Sequence, residues 1–163
     1  MILSMDLDKL HNLIVLIVTK ASRLKELYIK ESLGSIDYVA IFPKSNEERV
    51  QYLNLRGALG AKAVYSDHDG PLYHLSDAIQ TDYGPVDLIK ICNVDSIYNP
   101  KRNKLGYVDY QTTKYQLLKD TYGKNPAFTF LYGEGWEILC LANPDDDVSV
   151  YIPNIPLSKD LGL

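Results

Sequence analysis

The hydrophobic positions near the N-terminus repeat with the spacing of one face of a helix. Starting at Leu3, apolar residues fall alternately four and three positions apart, at Leu7, Leu10, Ile14, Ile17, Ala21, Leu24 and Tyr28. This spacing is typical of an amphipathic helix. Gly34 and Ser35 interrupt it, so the sequence predicts a helix from Leu3 to about Ser32. Further apolar residues widen the stripe, which indicates packing against two neighbours or a contact with a second copy of the chain.

Turn residues divide the rest of the chain into two segments with the same order of elements. The first segment reads as the strand IDYVAIF, a helix with the capping-box spacing Ser45 to Glu48, and the strands AKAVYS, PLYHLSDAI and PVDLIKIC. After the loop NVDSIYNPKRNK, the second reads as the strand LGYVDYQ, a helix ending at Gly123, and the strands AFTFLYG, WEILCLA and DVSVYIP. The sequence therefore predicts an α+β fold of tandem βαβββ modules, about 34–94 and 104–155, within a domain of residues 34–163. Residues 1–33 form a helical extension.

Alternation within the predicted strands separates their side chains into two sets. Successive residues of a strand point to opposite faces of the sheet. One set is aliphatic and predicts the face that the helices cover: Val39, Ile41, Ile89, Ile91, Val108, Val148, Val150 and Ile152. The opposite set mixes aromatic, charged and hydroxyl groups: Tyr38, Leu88, Lys90, Cys92, Tyr107, Asp109, Ser149 and Tyr151. This mixture favours a partly wet, concave surface over a sealed core.

Composition and charge limit the partners of such a domain. The chain has 163 residues, of which 46% are hydrophobic and 23% charged, as in an ordinary globular domain. Its formal net charge of −4 argues against nucleic acid, which is bound through clustered Lys and Arg. Cys92 and Cys140 lie in apolar runs, which is typical of buried thiols in a reducing compartment. The apolar run 13–18 is too short to cross a bilayer. We therefore expect a cytoplasmic protein that is not inserted in a membrane.

The motifs resemble those of the vicinal oxygen chelate (VOC) superfamily, which includes glyoxalase- and bleomycin-resistance-like proteins, and within it the YecM-like branch. The resemblance rests on IDYVAI, where the family commonly has Asp-His followed by two apolar residues, on GPLYHL, and on VDLIKI followed by a loop and LGYVDYQ. It also rests on the ending ILCLANPDDDVSVYIPNIPLSKDL. The resemblance spans nearly the whole chain. It implies curved mixed sheets around a cleft, preceded by an N-terminal helix.

The resemblance also implies which residues stand at the family's metal positions. In metal-using members, the first and last strands of each module supply His and Glu ligands to one divalent ion. The matching positions here are Tyr38, Lys90, Tyr107 and Tyr151. Neutral phenols and a charged ammonium are poor ligands for Zn²⁺, Mn²⁺ or Ni²⁺. The resemblance thus implies that the metal ligands have been lost and that the protein uses no cofactor.

We therefore expect a metal-independent protein that binds a small molecule, with no catalytic residue assigned. The predicted ligand-binding residues are Tyr38, Lys90, Tyr107, Asp109 and Tyr151. The tyrosines would stack on a planar or anionic ligand, and Lys90 would face its acidic group. In a purely structural interpretation, Lys90 instead pairs with Asp109 and the tyrosines fill the cleft.

Other functions stay open at this point. A divalent-metal-dependent enzyme of the VOC type, whether a lyase, an isomerase or a dioxygenase, would draw ligands from His68, His74, Asp109 or their neighbours after a shift of register. A structural or interaction protein would use the N-terminal helix as a homodimer surface. A lysine that is desolvated among aromatic rings can also lose its proton and attack a carbonyl, which makes Lys90 a candidate nucleophile.

Overall fold

The predicted α+β class and the predicted order of elements are confirmed. The computed structural model describes the backbone of residues 2–163 and the side chains of residues 7–163. The elements are α1 (Ile2–Tyr28), β1 (Ile36–Ile41), α2 (Asn46–Leu55), β2 (Lys62–Asp67), β3 (Gly70–Thr81), β4 (Gly84–Ile91), β5 (Gly106–Tyr110), α3 (Tyr115–Tyr122), β6 (Phe128–Gly133), β7 (Trp136–Leu141), β8 (Val148–Pro153) and α4 (Leu157–Asp160). The short helix α4 was not predicted.

The strands form one curved, unclosed sheet of eight strands in the order β2-β3-β4-β1-β5-β8-β7-β6. Strand β1 is parallel to β4, and β5 is parallel to β8. At the centre β1 and β5 pair antiparallel, with Val39 opposite Val108. The two halves of the sheet therefore have the same internal strand order and are related by an approximate two-fold rotation at this junction. The arrangement is consistent with a VOC-like fold.

The predicted separation of the strand residues into two faces is also confirmed. The aliphatic set packs in one core with α1, with Tyr52 and Leu55 of α2, and with Leu118 of α3. The opposite set contributes to a second buried cluster that includes Tyr38, Leu88, Cys92, Tyr107, Cys140 and Tyr151. Leu157 and Leu161, at the C-terminal end of the chain, pack against this second cluster. The helices α1 to α3 and the short helix α4 therefore lie on opposite faces of the sheet.

Local signals account for the helix ends. The hydroxyl of Ser45 accepts a hydrogen bond from the Glu48 amide at 3.1 Å, as the capping-box spacing predicts. Helix α1 ends at Tyr28 rather than near Ser32. The Gly34 amide donates to the carbonyl of Gln111 at 2.8 Å, which continues the β1–β5 pairing beyond β1. Strand pairing therefore begins soon after the helix, and the periodicity of the helix does not encode it.

The outer surface of α1 retains exposed apolar side chains. Leu16 is 43% exposed and Leu27 is 80% exposed. A homodimer contact through this helix stays a prediction. Within the part of the chain that the structure describes, no helix combines the length and the hydrophobicity needed to cross a bilayer.

Candidate functional site

A pocket of about 430 Å³ opens on the face of the sheet opposite α1, α2 and α3. We call it the tyrosine pocket. It brings together all of the residues that the sequence predicts to bind a ligand, namely Tyr38, Lys90, Tyr107, Asp109 and Tyr151. Their role in binding a ligand stays a prediction.

The register of the central strands explains why these residues converge. Tyr38 lies opposite Asp109 in the antiparallel β1–β5 pair, and Asp109 lies beside Tyr151 in the parallel β5–β8 pair. Directly paired residues point to the same face of a sheet. Lys90 reaches that face from β4, where its partner is Ala40 of β1. Four adjacent strands thus supply the floor of the pocket.

Tyr107 is the centre of an aromatic cluster on this floor. Its ring stacks on Tyr151 with centroids 4.1 Å apart and planes inclined by 22°. It meets Tyr38 and Tyr98 edge to face, with centroids 5.8 and 6.2 Å away, and lies 5.7 Å from the tilted ring of Phe42. The hydroxyl oxygens of Tyr38 and Tyr107 lie 3.0 Å apart, and either group can donate the hydrogen bond between them. Such ring pairs add to the free energy gained by burial alone, so the cluster also stabilises the fold.

This face is drier than the sequence predicts. Tyr38 is 6% exposed, Tyr107 is 2% exposed and Tyr151 is 4% exposed, so the expectation of a partly wet surface is wrong for the floor itself. Burial raises the pKa of all three phenols well above the ordinary value. The hydroxyls therefore remain protonated at physiological pH and act as neutral donors and acceptors.

Lys90 is paired with acidic residues of the β2–β3 hairpin. Its Nζ lies 2.8 Å from Oδ2 of Asp67 and 3.9 Å from Oδ2 of Asp69, and its side chain is 4% exposed. Burial disfavours the ammonium, but the hydrogen bond and charge of Asp67, together with the charge of Asp69, outweigh it and raise the pKa of Lys90. The lysine therefore stays charged, which contradicts the expectation of a deprotonated nucleophile.

The pairing of Lys90 with Asp109, which the purely structural interpretation required, is wrong. Strand β1 lies between β4 and β5, so the two backbones are two strand spacings, roughly 10 Å, apart. The β2–β3 hairpin instead carries Asp67 towards Lys90, because Leu72 of β3 is paired with Lys90. The hairpin is also fixed internally, since Oδ1 of Asp67 accepts hydrogen bonds from the amides of Asp69 and Gly70 at 2.9 and 3.2 Å.

Asp109 is left without a charged partner. It is 2% exposed, and its Oδ1 has no hydrogen-bond partner among the described residues. Burial, followed by the negative charge of Asp37, raises the pKa of Asp109 well above the ordinary value, against weaker opposing effects of Tyr38 and Lys90. An unpaired buried polar atom costs free energy. Oδ1 of Asp109 therefore lacks a hydrogen bond that a group in the pocket could donate.

The side chains of the floor are poor ligands for a divalent metal ion. They include three protonated tyrosines and a charged lysine. His68 lines the tyrosine pocket, whereas His74 lines a separate cavity with Asp37 and Asp87. The two histidines therefore do not meet at one site with Asp109. Among the described residues, no group of three or more His, Cys, Asp or Glu side chains is arranged to hold a metal ion.

The rim of the pocket is formed by segments that the sequence analysis did not identify as part of the site. Tyr65 and His68 belong to the β2–β3 hairpin, and Glu134 and Trp136 belong to the β6–β7 hairpin. Tyr98 comes from the loop after β4, and the C-terminal segment adds Ile155, Leu157 and Asp160. The single tryptophan of the chain, next to a Gly-Glu-Gly turn, was an available signal for Trp136. The positions of the other rim residues depend on the course of the loops, which the alternation of strand residues does not predict.

A larger cavity of about 870 Å³ lies between the turn after α1, the start of α3 and the C-terminal segment. It is lined by exposed groups such as Ser32, Lys114 and Lys159. It lacks both the aromatic floor and the buried carboxyl with an unpaired oxygen that the tyrosine pocket has. Ligand sites are typically apolar clefts with a few convergent polar groups, so the smaller pocket is the candidate site.

Comparisons with known proteins show what this fold is similar to. No protein-family profile matches the chain, and no curated protein does. A solved structure described as "Structural Genomics, Protein EC4020" is similar with a TM-score of 0.67 and 10% identity, covering 97% of this chain and 91% of that chain. A glyoxalase/bleomycin resistance protein/dioxygenase superfamily member from Vibrio splendidus has a TM-score of 0.37 and 10% identity, covering 71% of this chain and 93% of that chain. The first similarity shows a shared fold over almost the entire chain, while the second is too weak to establish one.

Proposed function

We propose that the protein is a VOC-like binding protein, of the YecM-like branch, that holds a small organic molecule in the tyrosine pocket without a metal ion. The VOC assignment is supported by the two βαβββ halves and by the motifs on their central strands. A cytoplasmic location is part of the proposal, because Cys92 and Cys140 are both buried free thiols.

The observation that carries the proposal is the buried carboxyl of Asp109 at the floor of an aromatic pocket, whose Oδ1 has no hydrogen-bond partner among the described residues. Native structures rarely leave a buried polar atom without a partner, and such atoms are typically met by a ligand or by water. A volume of about 430 Å³ accommodates a small molecule. The pocket therefore combines shape, aromatic surface and an unsatisfied polar group at one place.

Binding without catalysis follows from the chemistry of the floor. The three phenols are protonated, and Lys90 is held as an ammonium by Asp67. Cys92 is buried, and burial raises the pKa of its thiol well above the ordinary value. None of these groups is an activated nucleophile. The floor is suited to hold a ligand by ring contacts and hydrogen bonds.

Trp136 provides the experiment, because it is the only tryptophan and lies on the rim with 40% of its surface exposed. Its fluorescence should change saturably when the purified protein is titrated with small soluble aromatic compounds such as phenol, nicotinamide and benzyl alcohol. Tyr98→Ala removes a ring that contacts Tyr107 and Tyr151 and should weaken binding about fivefold. Tyr83→Ala, a partly buried tyrosine on the helical face, is the matched control and should have no effect.

Two results would count against this function. One is the absence of a saturable fluorescence change with every compound. The other is a stoichiometric, tightly held divalent metal in the purified protein, measured by elemental analysis, whose removal abolishes binding.

A further inference from the structure

We propose that the tyrosine pocket takes an organic cation, a compound with an ammonium or quaternary ammonium group on a small, partly apolar body. This inference rests on the proposed function and narrows it to a ligand class. It replaces the expectation of an anionic ligand that faces Lys90.

The charges around the pocket favour a cation. Carboxylates are spread over both hairpins and the C-terminal segment, at Asp67, Glu134 and Asp160, and Asp109 on the floor adds a further negative charge when it ionises. Lys90 is the only lysine or arginine among the described residues that line the pocket. A cleft lined mainly by one sign of charge concentrates ligands of the opposite sign. The lining therefore attracts positive groups.

Lys90 does not offset this preference. Its ammonium is hydrogen-bonded to Asp67 at 2.8 Å and lies 3.9 Å from Asp69, so two carboxylates face one cation. An anionic ligand would have to displace a carboxylate that is already bound there. It would also approach Glu134 and Asp160 at the rim. Like charges at these positions exclude an anion.

Asp109 is the second, independent observation. Its carboxyl lies at the floor, is 2% exposed, and has an Oδ1 without a partner among the described residues. A primary ammonium would donate the missing hydrogen bond through its N–H, whereas a quaternary ammonium, which has no N–H, would act through its positive charge alone. In either case an opposite charge within a few ångströms favours the ionised carboxylate. The groups facing Asp109 are Asp37 and Tyr38 of β1, Lys90 of β4 and Tyr151 of β8. Burial and Asp37 keep the pKa of Asp109 raised before binding, so binding should release a proton and strengthen as pH rises.

Two rim rings are open to receive the alkyl groups of such a cation. Tyr65 is 37% exposed and Trp136 is 40% exposed, and they belong to the two hairpins on either side of the pocket. The faces of Tyr and Trp rings attract cations through their quadrupoles. Tyr107 and Tyr151 already stack on each other, so the open rings at the rim complement the carboxyl at the floor.

The test compares three aromatic probes of similar size and different charge on the full chain, by isothermal titration calorimetry at low salt. The probes are phenyltrimethylammonium, benzyl alcohol and benzoate. We expect phenyltrimethylammonium to bind at least about tenfold more tightly than benzoate, with benzyl alcohol between them. A preference for benzoate or benzyl alcohol, or no preference, overturns the cation inference and leaves the proposed function standing. Failure of all three to bind overturns both.

Variants locate the source of the preference. Asp109→Asn should weaken phenyltrimethylammonium binding about tenfold and remove its rise with pH, with little change for benzyl alcohol. Glu134→Gln changes an exposed turn, cannot compromise the core, and should weaken cation binding about twofold. Asp77→Asn removes an exposed carboxylate outside the pocket and is the matched control. Unchanged cation affinity in both Asp109→Asn and Glu134→Gln overturns the inference; if Asp109→Asn does not fold, an unchanged Glu134→Gln does so alone.

Discussion

The hydroxyl groups of Tyr38 and Tyr107 lie 3.0 Å apart and join the two halves of the sheet across the β1–β5 junction. Because Val39 faces Val108 at the approximate two-fold axis, the residue before each valine occupies the equivalent position. Tyr38 and Tyr107 are these equivalent residues. The tyrosine that recurs in two otherwise dissimilar strands is therefore explained by a single contact, to which β1 and β5 each contribute one tyrosine.

Changes at Tyr107 should separate the contribution of its ring from that of its hydroxyl. Tyr107→Phe removes one hydrogen bond and should lower the free energy of unfolding by about 1 kcal/mol. Tyr107→Ala removes a fully buried ring in contact with four others and should lower it by about 4 kcal/mol. Urea denaturation measures both, and the exposed Tyr132→Phe is the control. Equal losses for Phe and Ala would show that the ring packing contributes nothing.

The ion pair of Lys90 with Asp67 should be strongly coupled. Lys90→Met leaves two carboxylates facing each other without their cation and should destabilise the fold by about 3 kcal/mol. Asp67→Asn should cost less, because Asp69 still neutralises the ammonium. The double variant should lose at least about 1 kcal/mol less than the sum of the two single losses. Strictly additive losses in urea denaturation would contradict the pairing.

The same ion pair should make the free energy of unfolding depend on pH. Burial disfavours the ionised carboxyl of Asp67, but the hydrogen bond and charge of Lys90 outweigh burial and lower the pKa of Asp67. Its stabilising contribution is therefore present above the ordinary carboxyl pKa and is lost as pH falls through the lowered value. In Asp67→Asn this acid-side loss, measured by urea denaturation at a series of pH values, should be smaller than in the wild-type protein.

Asp109 should have the opposite effect on stability. Its pKa is raised by burial and by Asp37, so the folded state keeps a proton that the unfolded chain releases above about pH 4. Stability due to this group therefore falls as pH rises from that value towards the raised pKa. Asp109→Asn mimics the protonated carboxyl and should be more stable than the wild type by about 1 kcal/mol near neutral pH. A difference between the two proteins that does not vary between about pH 4 and pH 8 would contradict this.

Gly70 should be required to hold the hairpin that carries Asp67. It has a φ of 137°, and a Cβ at this position would clash with the carbonyl oxygen of Ile91. Gly70→Ala should therefore push the hairpin from β4 and lower the free energy of unfolding by about 3 kcal/mol. Gly84 has a φ of 117°, but a Cβ added there would have no other atom within 4 Å, so Gly84→Ala should cost only the backbone strain, about 1 kcal/mol. Equal thermal destabilisation of the two variants would rule out the steric contact as the cause.

The order of elements was predictable because turn chemistry marks their ends. The side-chain cap of Ser45 on Glu48 and the end of α3 at Gly123 are both local signals, and both are present. The residues that line the pocket floor were predictable because the two-residue period of a strand fixes which side chains share a face. Helix α4 was missed since four residues, Leu157–Asp160, are too few to show a periodicity.

The partners across the pocket were not predictable from the sequence. Their common face made a pairing of Lys90 with Asp109 the structural alternative, but strand order places β1 between them, and alternation carries no information about strand order. The approach of Asp67 depends on the β2–β3 register, which shifts between Ala63 and Tyr65. Irregularities of this kind have no signal in the hydrophobic pattern. They decide which charge faces Lys90, and therefore which ligand class we propose for the pocket.

A titration of the isotope-labelled chain followed by heteronuclear NMR measures most directly whether the tyrosine pocket binds small molecules. Phenyltrimethylammonium, benzyl alcohol and benzoate would be added in turn. Binding in the tyrosine pocket predicts that the largest saturable shift changes fall on the amides of Tyr107 and Tyr151 and on the indole N–H of Trp136. Changes confined to the larger cavity near Lys114 and Lys159, or no saturable change with any probe, would contradict it.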